Sequence, residues 1–154
     1  AKIQRVVEII NRPENKDDHF LLWHDLEAER VALCKAVEGC KAVWGSQKDE
    51  EADANVLDFK EGRLKYLAAK PEMLGEGLNF QHHCHKAIMF IDYRFNDKFQ
   101  AIARIHRFMQ KHPVELYIVF AESEQEIYKT FLQKWQQHKE MVAKMEQMPT
   151  TLPP

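Results

Sequence analysis

The sequence predicts a three-layer α/β domain in which a mostly parallel central sheet is covered by helices on both faces. Apolar runs of strand length alternate along the chain with capped or amphipathic helical segments, and the connections between them are short. Strands that follow one another through helices run parallel, because each helix returns the chain to the same end of the sheet. In such folds ligands bind at the carboxyl ends of the strands.

The first elements are an amphipathic helix, a strand, a second helix and a second strand. Residues 2–11 carry apolar side chains at helical spacing. Residues 19–23 form a short apolar run, which is typical of a buried strand. The helix after this strand has Asp25 as its predicted N-cap, and the short apolar segment 40–44 is the predicted second strand.

The middle of the chain repeats the alternation of helix and strand. Ser46 is the predicted N-cap of a polar helix that Gly62 ends. Residues 64–70 are the third predicted strand and residues 86–92 the fourth. Asn96 is then the predicted cap of a further helix.

The last part of the chain predicts one more strand and a long helix. Residues 114–120 form the fifth apolar run. Ser123, with Glu126 three residues later, has the spacing of a capping box. The polar, proline-containing tail at 147–154 is expected to fray.

The composition indicates one globular domain over residues 1–154. Apolar residues make up 45% of the chain, charged residues 30%, and the formal charge is -2. This charge gives no overall basic field, so binding of nucleic acid would depend on a local patch. The three cysteines indicate no disulfide framework, and neither a signal-peptide layout nor a membrane-length apolar run is present. A cytoplasmic protein without membrane contact is therefore expected.

The helix predicted after Asn96 separates its basic side chains from its apolar ones. On a helical wheel that starts at Gln100, Arg104, Arg107 and Lys111 fall at about 40°, 340° and 20°. No acidic residue lies three or four positions from Arg104 or Arg107 to pair with them. Arginine is suited to forked recognition of phosphate or carboxylate, so the stripe predicts an anion site. The alternative is a solvated helix face.

The segment "QAIARIHRFMQ" (100–110) resembles motif VI of superfamily 2 helicases, in the form found in Swi/Snf-type DNA translocases and their phage relatives. Four positions match the pattern Gln-x-x-Gly-Arg-x-x-Arg-x-Gly-Gln: Gln100, Arg104, Arg107 and Gln110. Ala103 and Met109 replace its two glycines. Alanine favours a helix interior more than glycine does.

Other segments resemble the remaining motifs of this family in the same order. "HFLLWHDLEAE" (19–29) is similar to motif IV, and "VWGSQ" (43–47) to the Gly-Ser turn that follows it. "GEGLNFQ" (75–81) resembles motif V, and "FIDYRFN" (90–96) the segment that leads into motif VI. Residues 114–145 are similar to the family's closing strand and helix. Several motifs in register are a more specific signal than any one of them.

The resemblance implies the second, C-terminal RecA-like lobe of an ATP-dependent DNA helicase or translocase. In that family ATP and magnesium are held mainly by an N-terminal lobe, which carries the phosphate loop and an Asp-Glu pair. This chain has neither motif, so its partners are expected to be an N-terminal lobe of the same protein, DNA, and components of a restriction-modification system. The isolated lobe is expected to be inactive.

The resemblance also assigns roles to individual residues. Arg104 and Arg107 are the catalytic arginines that stabilise charge on the γ-phosphate during its transfer. The residues implied in binding the nucleotide are Gly75, Glu76, Gly77 and Gln100. The residues implied in binding nucleic acid are His24, Gly45, Ser46, Lys70 and Asn79.

Two readings that do not use the resemblance stay open. One is a stand-alone α/β module that binds an anion or nucleotide at Arg104 and Arg107 and has no ATPase activity. The other is a nucleic-acid-binding domain without ATP chemistry, which the net negative charge disfavours. "QHHCHK" (81–86) is not expected to bind metal, because adjacent side chains of an extended segment point in opposite directions.

Overall fold

A computed structural model describes residues 2–70, 84–90 and 115–146, and the side chains of residues 2–70, 86–90 and 115–137. The predicted cap at Asn96, the helix that follows it and the tail at 147–154 lie outside these ranges.

Five strands form one sheet, and every pair of neighbouring strands is parallel. The strands are β1 (His19–Trp23), β2 (Lys41–Ala42), β3 (Tyr66–Ala69), β4 (Cys84–Phe90) and β5 (Glu115–Val119). Their order across the sheet is β2-β3-β1-β4-β5. All five predicted strands are confirmed, although β2 is shorter than the predicted 40–44. The chain moves from β1 to the far edge, returns, and then continues on the other side of β1.

Four α-helices are present in the parts of the chain that the structure describes. They are α1 (Lys2–Ile10), α2 (Glu27–Ala36), α3 (Asp49–Lys60) and α4 (Gln125–Glu146). The predicted alternation of helix and strand is thus confirmed in these parts. None of these helices is both long enough and apolar enough to cross a membrane.

The sheet is buried on both faces, which confirms the three-layer architecture. In β1, Leu21 and Trp23 pack with α3 and α4 on one face, through side chains such as Phe59 and Phe131. Phe20 and Leu22 point to the opposite face and pack with α1 and α2. This alternation follows from the two-residue period of a strand, and burial on both faces explains why β1 reads as a continuous apolar run.

The predicted cap of α2 is wrong by one residue. Leu26, not Asp25, occupies the N-cap position, and leucine has no side-chain acceptor for the free amides of the first turn. Glu29 compensates from within the helix: its Oε1 accepts hydrogen bonds from the backbone amides of Asp25 and Leu26, both at 2.9 Å.

The predicted caps of α3 and α4 are also wrong. Helix α3 begins after Lys48, two residues beyond Ser46, and has no side-chain cap. Before α4, a short 3-10 turn at Glu122–Glu124 replaces the predicted box of Ser123 and Glu126. The carboxylate of Glu124 accepts a 2.7 Å hydrogen bond from the amide of Ala121. In both α2 and this turn, a glutamate inside the element satisfies an amide before it.

The predicted end of α3 at Gly62 is confirmed. Gly62 has a φ of +84°, a left-handed conformation that glycine adopts without steric penalty. Its amide bonds to the carbonyl of Phe59, and the amide of Arg63 bonds to the carbonyl of Asp58. This pattern is the Schellman motif, and it turns the chain back toward β3.

Candidate functional site at the carboxyl edge of the sheet

Three of the predicted site segments meet at the carboxyl edge of the sheet. His24 directly follows β1, Lys70 directly follows β3, and the turn with Gly45 and Ser46 follows β2. These strands are neighbours, in the order β2-β3-β1. Backbone hydrogen bonds extend the pairing past the strand ends: the amide of His24 bonds to Ala69 O at 3.1 Å, and the amide of Val43 to Ala68 O at 2.9 Å.

The turn after β2 is fixed by two amide side chains beneath it. Gln47 is buried; its Nε2 donates to Ala42 O at 3.0 Å, and its Oε1 accepts from the amide of Trp44 at 3.3 Å. Asn55 of α3 donates to the same carbonyl at 3.0 Å. These bonds leave Gly45 and Ser46 exposed at the tip of the turn. A side chain at Gly45 would meet open space, so the turn itself does not require glycine there.

The helix that follows this turn does not provide the anion site that a serine cap would imply. Its first turn carries three carboxylates, Asp49, Glu50 and Glu51. They match the positive end of the helix dipole, and they repel a phosphate. Ser46 is therefore not placed to hold a phosphate through this helix terminus, and the exposed backbone of the turn is the part of the segment that could contact one.

His24 does not fit the predicted contact with DNA, because it is buried. The residue is 1% exposed, and among the residues that the structure describes neither ring nitrogen has a hydrogen-bond partner. Burial lowers the pKa of the imidazole, and the charges of Arg30 and Lys70 act in the same direction. The Glu29 carboxylate and the nearby Leu26 backbone oppose the shift. His24 is therefore a neutral core residue beneath the edge at neutral pH.

Replacement of His24 by phenylalanine should reduce the acid sensitivity of the fold. Because the pKa is lowered in the folded state, the unfolded chain takes up a proton first as the pH falls below about 6.5, and wild-type stability decreases there. The variant lacks this linkage. The decrease in melting temperature between pH 7.5 and pH 5.5 should be smaller for His24→Phe than for wild type. An equal decrease in both proteins would contradict a neutral, buried His24; the other histidines are common to both and cancel in the comparison.

Arg30 and Trp44 form a contact near this edge that the sequence did not predict. The guanidinium carbon of Arg30 lies 4.0 Å from the centroid of the Trp44 ring, within the range of a cation–π interaction. The guanidinium also pairs with Glu27 at 2.7 Å. The contact joins α2 to the loop after β2. Nothing in the spacing of the two residues, 14 positions apart, signals it, because it depends on the crossover from α2 to β2.

The remaining predicted site residues lie outside the described residues. These are Gly75, Glu76, Gly77, Asn79, Gln100, Arg104 and Arg107, and their assignments stay predictions. Within the described ranges, no group of three or more His, Cys, Asp or Glu side chains could hold a metal ion.

The fold matches several solved structures at low sequence identity. The C-terminal part of the Fun30 ATPase domain aligns with a TM-score of 0.68 and 17% identity over 83% of this chain and 44% of that chain. S. cerevisiae Dbp5, bound to Gle1 and IP6, aligns with a TM-score of 0.65 and 16% identity over 99% of this chain and 38% of that one. Mycobacterium smegmatis helicase Lhr, bound to ssDNA and AMP-PNP, gives 0.68 and 12% identity over 98% of this chain and 20% of that one.

The chain thus spans less than half the length of these three proteins. No protein-family model matches the sequence, and no curated protein matches it. At this level of identity the likeness concerns the fold, which recurs in a separately solved C-terminal domain of Dbp5 over 98% of this chain. The chain has the RecA-like α/β fold of helicase C-terminal domains, with a parallel five-stranded sheet between two helical layers.

Proposed function

We propose that this chain is the C-terminal motor lobe of an ATP-dependent DNA helicase or translocase. The observation that carries the proposal is that the motif pattern and the fold point to the same class of domain. The sequence contains segments similar to motifs IV, V and VI in the family's order. The fold matches the solved C-terminal domain of Dbp5 over 98% of the chain.

The edge of the sheet supports a role in contacting a charged polymer. Lys70 is half-buried at the end of β3, and the exposed turn of Gly45 and Ser46 lies at the end of the adjacent strand. A lysine can interact with a phosphate as a point charge, and free backbone amides can donate to its oxygens. Loops at the carboxyl ends of parallel strands are where α/β folds place ligand contacts. In this proposal Lys70 and the turn contact the DNA backbone, and His24 supports the edge from below.

ATP chemistry is proposed to occur where this lobe faces an N-terminal lobe. Arg104 and Arg107 donate forked hydrogen bonds to the γ-phosphate and stabilise the charge that spreads over its oxygens in the transition state. Gly75, Glu76, Gly77 and Gln100 contribute the nucleotide contacts of this lobe. Magnesium, which bridges and neutralises phosphate oxygens, is assigned to the N-terminal lobe, because the resemblance places the Asp-Glu pair that holds it there.

The proposal is tested by measuring ATP hydrolysis with and without an N-terminal lobe. The 154-residue chain alone should show no DNA-stimulated release of phosphate. A longer protein that carries an ATP-binding lobe before this sequence should hydrolyse ATP and respond to DNA. DNA-stimulated turnover by the chain alone would refute the division of labour between two lobes. Binding of ATP by the chain alone at micromolar concentration would favour the stand-alone anion-binding module.

A further inference from the structure

The two cysteines around the end of α2 lie next to each other. Cys34 is in the last turn of α2, and Cys40 directly precedes β2. Their sulfur atoms are 3.9 Å apart, and both thiols are reduced. Cys34 is half-buried, while Cys40 is buried. The turn between them passes through Gly39, whose φ is +80° and whose Cα faces open space.

We propose that Cys34 and Cys40 form a peroxide-reactive dithiol, in which Cys34 attacks a hydroperoxide and Cys40 resolves the product to a disulfide. The proposal is independent of the ATPase function proposed above, because both residues lie in α2 and its connection to β2. Nothing in the motif set assigns a role to either cysteine.

The surroundings of Cys34 favour its thiolate. A hydrogen bond from the Cys40 thiol lowers the pKa of Cys34 to about 7, and the cations Arg30 and Lys41 act in the same direction against burial. Arg30 lies one helical turn before Cys34, and Lys41 lies at the start of β2. A thiolate is the nucleophilic form of cysteine, and an attacking thiol with a pKa near the ambient pH reacts fastest.

The surroundings of Cys40 instead favour its protonated form. The pKa of the Cys40 thiol is raised, first because it donates to Cys34 and then because it is buried. Its sulfur also lies 3.5 Å from the carbonyl of Lys41. Cys40 is therefore assigned as the thiol that reacts second. Its proton is available to the hydroxide that leaves Cys34 when the disulfide forms.

The reaction is balanced with a hydroperoxide, ROOH, as the oxidant. The Cys34 thiolate attacks the terminal oxygen, the O–O bond breaks, and the alkoxide takes up a proton to give an alcohol. Cys34 is now a sulfenic acid. Cys40 then attacks the Cys34 sulfur, the S–O bond breaks, and hydroxide leaves as water with the proton of the Cys40 thiol. The two thiols lose two electrons in total, and these electrons reduce one peroxide.

Formation of the disulfide requires only a local movement. The sulfur separation must decrease from 3.9 Å to about 2.05 Å, the length of a disulfide bond. Cys34 lies in the last turn of α2, and a side chain at Gly39, in the turn between the two cysteines, would meet open space. The product would tie the end of α2 to the start of β2 and so restrain the connection between them.

Peptide mapping tests the proposal directly. The folded chain is treated at pH 7 with hydrogen peroxide, alkylated and digested with trypsin. Cleavage at lysine and arginine places Cys34 on peptide 31–35, Cys40 on peptide 36–41 and Cys84 on peptide 66–86. The expected product is a disulfide between peptides 31–35 and 36–41. Reaction of Cys84 before Cys34, or oxidation without this linked pair, would overturn the proposal.

Single variants separate the two roles. In Cys40→Ser, peroxide should leave Cys34 as a sulfenic acid that dimedone traps, whereas in Cys34→Ser residue Cys40 should stay unmodified under the same conditions. Equal reactivity of the two variants would overturn the assignment of attacking and resolving thiols. Circular dichroism before treatment shows that each variant is folded; if a serine variant fails, the alanine variant at the same position replaces it.

The pH dependence of alkylation supplies a readout that mere exposure would not change. The rate for Cys34 with iodoacetamide should be half-maximal near pH 7 in the wild-type chain. The pH at this midpoint should stay low in Cys40→Ser, because the serine hydroxyl still donates a hydrogen bond to Cys34. It should rise in Cys40→Ala, which has no donor. A midpoint near 8.5, the value for an ordinary thiol, in all three proteins would show that Cys34 has no special environment and would contradict the proposal.

Discussion

Replacement of Arg107 by alanine should lower the rate of ATP hydrolysis by about 10³–10⁵-fold in a protein that joins this chain to the proposed N-terminal lobe. That range corresponds to about 4–7 kcal/mol of lost transition-state stabilisation. The physical reason is that the proposed role of Arg107 begins when charge develops on the transferring phosphoryl group. An interaction made mainly in the transition state affects turnover far more than ground-state binding.

The measurement is steady-state ATP hydrolysis at saturating DNA, together with the dissociation constant for DNA. We expect kcat to fall and DNA affinity to stay within a few-fold. Lys111→Ala is a matched control, because Lys111 lies on the same predicted basic stripe but outside the motif. Arg107→Lys should recover little activity, since lysine keeps the charge but loses the fork. Equal losses of DNA binding and turnover would contradict the assigned role, as would an equal effect of Lys111→Ala.

The strands were predictable because their signal is local. A run such as residues 20–23 is apolar at every position, which burial on both faces explains, and β1 has the predicted bounds of 19–23. The N-caps were not predictable, because several neighbouring side chains can accept hydrogen bonds from the same backbone amides. Asp25 has the right side chain for a cap, but Glu29 reaches back to the same amides and places the helix start one residue later. N-cap propensity identifies residues that could cap a helix, but the local backbone geometry decides which of them does.

The position of the candidate site was predictable, but the part that each residue plays in it was not. A parallel sheet places the ends of β1, β2 and β3 together, so His24, Lys70 and the turn at Gly45 had to lie at one edge. Whether a side chain at such an edge points to solvent or to the core depends on the neighbouring loops. His24 is covered there, and Arg30 is drawn onto Trp44 instead of standing free. No periodic pattern in the sequence indicates either the burial of His24 or the contact between Arg30 and Trp44.

Lys86 is a buried residue that the two-residue period of a strand could have identified. Side chains of β4 alternate between faces, so Lys86 shares the face of Ile88 and Phe90, which belong to the apolar core over α1 and α2. A lysine at such a position requires partners, because a charge that is buried alone is costly. The structure supplies Asp18 at 2.7 Å and Glu115 at 3.2 Å, and the amide oxygen of buried Asn15 accepts a further hydrogen bond.

This cluster lies at the amino ends of the strands, opposite to the candidate site. Lys86 is paired in register with Phe20 near the start of β1 and with Glu115, the first residue of β5. Asn15 connects the cluster to α1 through a 2.8 Å hydrogen bond to Ile9 O. The cluster therefore joins three strands and a helix without contributing to the edge where ligands are expected. Its loss should affect stability and leave the chemistry of the site intact.

Replacement of Lys86 by methionine should lower the free energy of unfolding by about 3 kcal/mol, the low end of the range for breaking a buried ion pair. Methionine fills similar volume, so the loss comes from the charge. Asp18 and Glu115 are left close together without a cation, and Asn15 loses a donor. The low end applies because both carboxylates are partly exposed. Urea unfolding followed by circular dichroism measures the difference.

Lys129→Met is the matched control: its pair with Glu126, at 3.5 Å on the surface of α4, should contribute less than about 0.5 kcal/mol.

The dependence of this difference on pH distinguishes an ion-pair effect from a packing effect. Burial alone would lower the pKa of Lys86, but the hydrogen bonds and charges of Asp18 and Glu115 outweigh it, and the pKa is raised. A raised pKa gives stability that is fully present below the unfolded value of about 10.4 and is lost as the pH rises through the folded value. The gap between wild type and Lys86→Met should therefore be constant from pH 7 to about pH 10 and narrow above about 10.4. If the gap instead stayed unchanged at high pH, methionine would be failing to pack, and the charge of Lys86 would not be what stabilises the amino end of the sheet.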